Sequence, residues 1–194
     1  GGEGARGRLL IQNPNSQIQN LEVLGQTLDI QGRFQLAMGQ PEDALATWQA
    51  ATDIYTKAGD KIGVMRSHIN QAQALRTQGF YRRAVDTLLK VNQTLQSQPD
   101  SLEKAVGLRS LGDALQLMGD LQQSRVALQQ SLSVAQHLQS PSDIAASLFS
   151  LGNNARTQQQ KQQAIAFYQQ TVKVSPSLLT KVQAQLNLLS LLIE

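Results

Sequence analysis

The sequence predicts an all-α fold, a right-handed superhelical solenoid of antiparallel helix hairpins, and two observations support this. Features recur every forty residues: Gly39, Gly79 and Gly119 are forty residues apart, and Gln159 holds the next equivalent position. Apolar residues follow helical spacing, and no segment alternates with the period of two that is typical of a strand. A regular self-repeat of this length indicates hairpins that stack and bury one another's apolar faces.

Composition restricts both the core and the function. Hydrophobic residues are 41% of the 194 residues but aromatic residues only 4%, so the core must consist mainly of Leu, Ala, Ile and Val. Charged residues are 16% and the net charge is +3, which is too little for a protein that depends on neutralising phosphates. The absence of cysteine excludes disulfides, thiolate zinc sites and a cysteine nucleophile.

Nine helices are predicted from the apolar spacing and from the residues that interrupt it. Gly39 ends the first helix, and Pro41 and Pro141 stand at first helical positions, where the missing N–H costs nothing. Either Asp100 or Ser101 caps the fifth helix. The expected helices are 16–38, 41–57, 61–78, 81–96, a fifth that ends before 119, 121–138, 141–159, 161–173 and a ninth that begins near 175.

Residues 1–15 are expected to form a flexible leader, and residues 16–194 a domain of about four repeats plus a truncated ninth helix. Gly2, Gly4 and Gly7 spell G-x-G-x-x-G, but no strand precedes them, so a phosphate-binding loop is not favoured. No apolar run approaches the roughly 20 residues that a membrane span needs. We expect a soluble piece of a longer protein, with the cytoplasm favoured and an extracytoplasmic location left open.

Small residues recur where paired helices should approach each other. They lie on the first helix of each pair at Gly32, Ala72, Gly112 and Gly152, and on the second at Ala44, Ala84, Ser124 and Ala164. A branched side chain at these positions would push the two backbones apart. Bulky residues one turn further along are expected to fill the space between pairs: Trp48, Leu88, Leu128 and Tyr168.

A second pattern resembles the Leu-Gly, Ala, aromatic and Pro signature of the tetratricopeptide repeat: Leu111-Gly112, Leu151-Gly152, Ala164, Tyr168 and Pro176. The resemblance covers about residues 25 to 176 as four repeats, followed by half of a fifth. It implies a helical solenoid that binds other proteins. The period of 40 instead of the usual 34 resembles longer-helix members in scaffold and cargo-adaptor proteins.

A finer resemblance is to arrays in cyanobacterial proteins, where such repeats often precede a caspase-like protease domain of the CHAT type. Gln31-Gly32-Arg33, Gly39 and Ala44 carry it, together with the glutamine-rich helices. The chain departs from the repeat pattern in the middle of each first helix, where an aromatic residue is usual. Those positions hold Gln35, Leu75, Leu115 and Ala155.

The tetratricopeptide resemblance also implies a candidate site, because the first helices of that family line a concave groove. The matching partner-binding candidates are Asp29, Arg33, Arg66, Ile69, Gln73, Arg76, Arg109, Asp113, Gln116, Phe149, Asn153 and Arg156. Arginine presents a planar fork that suits carboxylates, so an acidic peptide or partner domain is expected there. The alternative is that these side chains are solvated and pair with one another, since surface ion pairs are common and weak.

The expected function is a non-catalytic protein–protein interaction scaffold. The first alternative is a regulatory or substrate-recruiting array of a CHAT-type protease whose catalytic domain lies outside this chain. The second is an RNA- or anion-binding helical repeat, although the low charge disfavours nucleic acid. His68 and His137 lie in different repeats, so neither a metal site nor a cofactor is predicted. The leucine-rich ninth helix lacks a partner and is a candidate surface for homodimerisation.

Overall fold

The computed structural model describes residues 14–193, which form helices joined by short turns. This part of the chain contains helices α1 to α9: Pro14–Ala37, Pro41–Ala58, Lys61–Thr77, Tyr81–Gln96, Leu102–Leu117, Leu121–His137, Pro141–Thr157, Lys161–Val174 and Leu178–Ile193. The predicted leader, with its Gly2, Gly4 and Gly7, lies outside the described residues, apart from the first two residues of α1. None of the helices between residues 14 and 193 is long and apolar enough to cross a membrane.

The helices begin and end within three residues of the predicted positions. The largest difference is at α9, which begins at Leu178 because the Ser175 and Ser177 hydroxyls hold a turn ahead of it. The backbone N–H of Ser177 donates to the Ser175 hydroxyl at 3.2 Å, and that of Thr180 donates to the Ser177 hydroxyl at 3.3 Å. Ser101 is the cap of α5, where its hydroxyl accepts a first-turn backbone N–H at 3.2 Å.

Each of the four complete hairpins turns through a residue in the left-handed backbone region. Gly39, Gly79 and Gly119 have φ angles of 75°, 83° and 86°, and Gln159 has a φ of 59° in the fourth hairpin. A side chain in this region costs about 1–2 kcal/mol, because its Cβ comes too close to the following carbonyl. Glycine avoids that cost in three turns, and Gln159 bears it in the fourth.

In three hairpins the first helix carries a glycine where a side chain of the second helix packs closely against it. A Cβ added to the glycine would lie 2.5 Å from a fully buried side chain of the second helix in three pairs: Gly32–Trp48, Gly112–Leu128 and Gly152–Tyr168. The bulky residues therefore pack inside their own hairpin and also, as expected, between hairpins: Tyr168 clusters with Ala184 of α9, and Leu88 with Leu111 of α5. Trp48 does both, since it also clusters with Ala74 of α3.

Buried polar side chains fix how α6 stacks on α7. The Ser131 hydroxyl donates to the Ala105 carbonyl at 2.7 Å and lies 2.8 Å from the Ser147 hydroxyl. The Asn154 amide donates to the Ser124 hydroxyl at 2.9 Å. Burying polar groups costs free energy that an apolar contact at the same positions would not cost. These hydrogen bonds offset that cost. They favour one register between the hairpins, because a shifted helix would leave the groups without partners.

The first described helix, α1, departs from the apolar stripe that its helical spacing predicts, Ile18, Leu21, Leu24, Leu28 and Phe34. Three residues of that stripe are exposed, namely Ile18, Leu24 and Phe34. α1 packs through its glycines instead: a Cβ on Gly25 would lie 2.6 Å from the ring of Tyr55. Within the described part of the chain only α2 and α3 contact α1. The side of α1 that faces away from them is therefore exposed although it is apolar.

Replacing Ala84 with leucine is expected to destabilise the protein by about 1–3 kcal/mol, because the added methyl groups would overpack a fully buried contact between α3 and α4. The control is Asp86→Leu at an exposed position of the same helix, which should change the free energy of unfolding by less than about 0.5 kcal/mol. Urea denaturation followed by circular dichroism measures both. Equal stability of Ala84→Leu and wild type would contradict a close approach in this hairpin.

Candidate partner-binding groove

The odd-numbered helices form an inner layer along the solenoid. α1 contacts α3, α3 contacts α5, α5 contacts α7 and α7 contacts α9, whereas across residues 14–193 no even-numbered helix contacts another. Stacked hairpins whose first helices lie closer together than their second helices must curve toward the first helices. The first helix of each hairpin therefore lines the concave side, which is the surface that solenoid proteins use for binding.

Three hollows follow one another along this inner layer. The first lies between α1 and α3 and has a volume of about 320 Å³. The second, of about 120 Å³, lies between α3 and α5, and the third, of about 270 Å³, extends from α3 across α5 to α7. Eleven of the twelve candidate residues line these hollows, and Arg156 lies beyond them, toward α9. We refer to the three hollows together as the groove.

Arginine–carboxylate pairs cross the groove from one inner helix to the next. Arg76 Nη1 lies 3.2 Å from Asp113 Oδ2 and links α3 to α5. Arg109 Nη1 lies 3.5 Å from Asp143 Oδ1 and links α5 to α7. These side chains are 17–28% exposed, and ion pairs in such surroundings contribute about 0–1 kcal/mol each. Their main effect is to hold the guanidinium groups in place across the groove.

A buried carboxylate lies beneath the first hollow. Asp29 is 3% exposed and accepts a hydrogen bond from the Tyr55 hydroxyl at 2.8 Å, while its Oδ1 is buried with no hydrogen-bond partner among the described residues. Arg66 lies between two acids, 4.0 Å from Asp29 and 3.6 Å from Glu103. Burial, and then the hydrogen bond to Asp29, raises the pKa of Tyr55, so the phenol stays protonated and donates to the carboxylate.

At the other end of the groove, Asn153 is held by two neighbours. The Tyr168 hydroxyl donates to its Oδ1 at 2.7 Å, and the Asn187 amide donates to the same oxygen at 3.4 Å. The Phe149 ring packs against the Tyr168 ring with centroids 5.8 Å apart. Burial raises the pKa of Tyr168. With its oxygen engaged, Asn153 would meet a ligand through its amide nitrogen.

The remaining candidates differ in their access to the groove. Ile69 is buried in the core cluster of α3 to α6 and so forms part of the floor. Gln73 and Arg33 are exposed, and Arg33 Nε donates to the Asp29 carbonyl at 3.3 Å. Gln116 and Arg156 each bind the next inner helix. The Gln116 amide donates to the Thr157 hydroxyl at 3.3 Å. Arg156 donates to the Ser190 hydroxyl at 2.9 Å.

Two carboxylates that pair with arginines of the groove were not among the sequence candidates. Glu103 and Asp143 lie in the first turns of α5 and α7, where an acid is already explained by the helix dipole. Spacing could have identified the first of them. Glu103 follows Arg66 by 37 residues, and Asp113 follows Arg76 by the same number. This offset is the repeat length minus about one helical turn. Residues at that offset meet across neighbouring inner helices.

The histidines lie outside the groove. His137 Nδ1 is 2.8 Å from Asp100 Oδ2, and the hydrogen bonds from His137 and then from Lys104 lower the pKa of Asp100. His68 lies on α3, far along the chain from His137. Between residues 14 and 193 no group of three or more His, Asp or Glu side chains comes together in a way that could hold a metal ion.

A fourth hollow, of about 440 Å³, lies outside the groove between α4, α5 and α6. Its walls include Leu89, Leu108 and Val134, with glutamines around the edge. It opens where α4 and α6 diverge, since these two helices do not contact each other. None of the twelve candidates lines it.

Stacked hairpins with a polar concave groove define the class of α-solenoid repeat proteins, which bind partners across an extended curved surface. Residues 103–177, which cover most of α5 to α8, match the tetratricopeptide repeat family. No curated protein sequence matches the chain. These residues are therefore similar to tetratricopeptide repeats, and the same hairpin fold extends over the other described helices.

Solved structures share this fold at low sequence identity. BtubC (BKLC) from P. vanneervenii is 18% identical, with a TM-score of 0.66 over 79% of this chain and 64% of that chain. Nearly identical TPR-like repeats assigned to a Podosopora anserina kinesin light chain are 18% identical, with a TM-score of 0.62 over 91% and 84%. RapI in its apo form is 14% identical, with a TM-score of 0.69 over 87% and 46%. The chain thus spans less than two thirds of BtubC and less than half of RapI, and these likenesses establish the fold.

Removing the Tyr55 hydroxyl is expected to destabilise the protein more than removing the Tyr168 hydroxyl. Tyr55→Phe leaves the buried Asp29 carboxylate without the donor to Oδ2, and hydrogen bonds to charged groups contribute about 1.5–3 kcal/mol. Tyr168→Phe removes a bond to a neutral amide, at about 0.5–1.5 kcal/mol. Urea unfolding of both variants makes the comparison. A loss in Tyr55→Phe no larger than in Tyr168→Phe would show that Asp29 does not depend on this donor.

Proposed function

We propose that this protein is a non-catalytic scaffold that binds an extended segment of a partner protein along the groove. The observation that carries the proposal is the line of three hollows between successive inner helices. Hollows that recur along a curved surface suit a peptide whose side chains enter them in turn. A second copy of the chain is a further candidate partner, for the exposed face of α9.

We further propose that the bound segment is acidic. Arg76 and Arg109 already hold carboxylates of this chain, at 3.2 Å and 3.5 Å, in pairs that are partly exposed. A partner carboxylate can replace Asp113 or Asp143 at little cost, because exposed pairs are weak. It can also join them, since a guanidinium has five N–H donors and one carboxylate does not occupy all of them.

Binding of RNA or another phosphate ligand is the less favoured function. The neighbouring acids offset the charge of Arg66, Arg76 and Arg109, so the groove has mixed sign. Phosphate binding draws its affinity from cations that are not already compensated, and it weakens steeply with salt. Labelled single-stranded RNA that binds at low salt and is released at moderate salt would favour this function over the scaffold.

A second role for the same groove is as the regulatory or substrate-recruiting array of a CHAT-type, caspase-like protease whose catalytic domain lies outside this chain. The resemblance around Gln31-Gly32-Arg33 supports this role, whereas the geometry of the inner helices supports a scaffold in either setting. Protease activity in a longer protein that contains this chain, reduced by Arg76→Gln, would favour the regulatory role.

The acidic-segment proposal predicts that Arg76→Gln with Arg109→Gln weakens binding of acidic peptides by at least about tenfold, since hydrogen bonds to charged groups contribute about 1.5–3 kcal/mol each. The control is Lys90→Gln with Lys173→Gln, which removes the same charge from exposed positions on the outer helices α4 and α8. Fluorescence anisotropy with a library of labelled Asp- and Glu-rich peptides measures both variants, after circular dichroism shows equal helicity.

Three results would contradict the proposal in different ways. Unchanged binding by the groove variant would place the site elsewhere on the solenoid. An equal loss in the outer variant would indicate binding by net charge alone. Equal binding of the Asn and Gln counterparts of the same peptides would retain the groove and remove the preference for acidic segments.

A further inference from the structure

Helix α9 is apolar on two opposite faces. One face is buried against α8, where Ala184 and Leu191 are 0% and 3% exposed and cluster with Tyr168. The opposite face is exposed, and its seven large apolar residues are between 42% and 79% accessible: Leu178, Leu179, Val182, Leu186, Leu189, Leu192 and Ile193. A contiguous apolar surface of this kind on a water-soluble helix typically marks an interaction site.

The exposed face differs from the faces that the complete hairpins bury between their two helices. Ala184 and Leu191 of α9 correspond to Ser147 and Asn154 of α7, because each pair faces the preceding hairpin. An offset of 37 residues therefore aligns α9 with α7. The same offset aligns Leu189 with Gly152. In the α7–α8 hairpin the Tyr168 side chain occupies the space beside Gly152. A helix that packed on α9 in the same way would meet the Leu189 side chain in that space.

The exposed residues have the spacing of a coiled-coil seam. Steps of three, four, three and four residues separate five of them, which we call the α9 seam: Leu179, Val182, Leu186, Leu189 and Ile193. Apolar residues that repeat every 3.5 residues pack as knobs into holes against a helix with the same repeat. A heptad row of this kind is complementary to itself, as a two-fold interface between identical chains requires.

Charge and area are consistent with pairing of two such seams. Lys181 is the single charged residue of 178–193, and it stands between seam positions, so no row of like charges opposes the contact. At roughly 100 Å² of apolar surface per leucine-sized side chain, the seven residues expose on the order of 450 Å² per copy, or about 900 Å² for a pair. That area is below the roughly 1,200–2,000 Å² that stable interfaces bury, so we expect a weak, transient dimer with a dissociation constant in the micromolar range or above.

We propose that two copies of this chain associate about a two-fold axis through the α9 seam. The competing surface is the exposed side of α1, which presents Val23 and Phe34. There Val23, Ile30 and Phe34 lie on one face, but Thr27 interrupts the row and Glu22 and Arg33 stand beside it, so the apolar row is shorter than the α9 seam. Contact between α1 and α9 would also be head-to-tail and would continue into an open chain instead of closing as a dimer.

Sedimentation equilibrium over a range of concentrations tests the proposal. Wild type is expected to show a monomer–dimer equilibrium, and Leu186→Gln with Leu189→Gln is expected to raise the dissociation constant by at least about tenfold. The matched control, Val23→Gln with Phe34→Gln on the exposed side of α1, should leave it within about twofold. Circular dichroism melts check that both variants keep the fold, which is expected because all four positions are exposed.

The outcomes separate the dimer from its location. A wild-type chain that stays monomeric up to about millimolar concentration would overturn the dimer. A dimer that survives the seam variant, or that the α1 variant abolishes, would overturn the seam as its location. Binding of acidic peptides does not enter this test, so the groove proposal can fail while the dimer stands, and the reverse.

A crosslink tests the seam in a second way, because the chain contains no cysteine. Leu186→Cys places a thiol at the centre of the seam and is expected to form a disulfide-linked dimer on mild oxidation. Gln170→Cys, at an exposed position on α8, should stay monomeric under the same conditions. Equal crosslinking of the two variants would indicate random collision and count against the seam.

Discussion

The close approach of the two helices in each hairpin, at a residue with little or no side chain, is the constraint on which the structure depends. At Gly112 the backbone of α5 lies so near α6 that one added carbon would stand 2.5 Å from Leu128. Glycine within a helix costs about 0.5–1 kcal/mol relative to alanine. Burying a leucine side chain contributes about 1.5–3 kcal/mol, which offsets that cost. The contact sets how far the outer helix stands from the inner one.

The groove follows from stacking hairpins of this kind. Because the inner helices contact one another directly, polar side chains on neighbouring inner helices reach across the junction, as Arg76 reaches Asp113. Hollows remain where neighbouring inner helices meet. The ion pairs cross these hollows without filling them. The last described inner helix is different. α9 has a leucine where earlier inner helices have glycine or alanine, and its outer face is a heptad row instead of a hairpin contact.

The sequence was sufficient for the order of the helices and for the small residues at the close approaches, because both depend on local spacing. It was less informative where burial depends on how one helix is rotated against another. Asp29 was interpreted as a groove acid, yet the rotation of α1 places it under Tyr55 and out of solvent. Asp143 was not among the sequence candidates, because its pairing with Arg109 depends on the stacking of α5 on α7. The exposed stripe of α1 has the same origin.

A double-mutant cycle at Gly112 and Leu128 tests the close approach most directly, with the free energy of unfolding as the readout. Gly112→Ala is expected to destabilise the wild type, because the new Cβ displaces Leu128. In a Leu128→Ala background the same change is expected to stabilise, since alanine favours a helix by about 1 kcal/mol over glycine. The account predicts this reversal of sign and a coupling energy of at least about 1 kcal/mol. Additive effects within about 0.5 kcal/mol, or stabilisation by Gly112→Ala in the wild type, would contradict it.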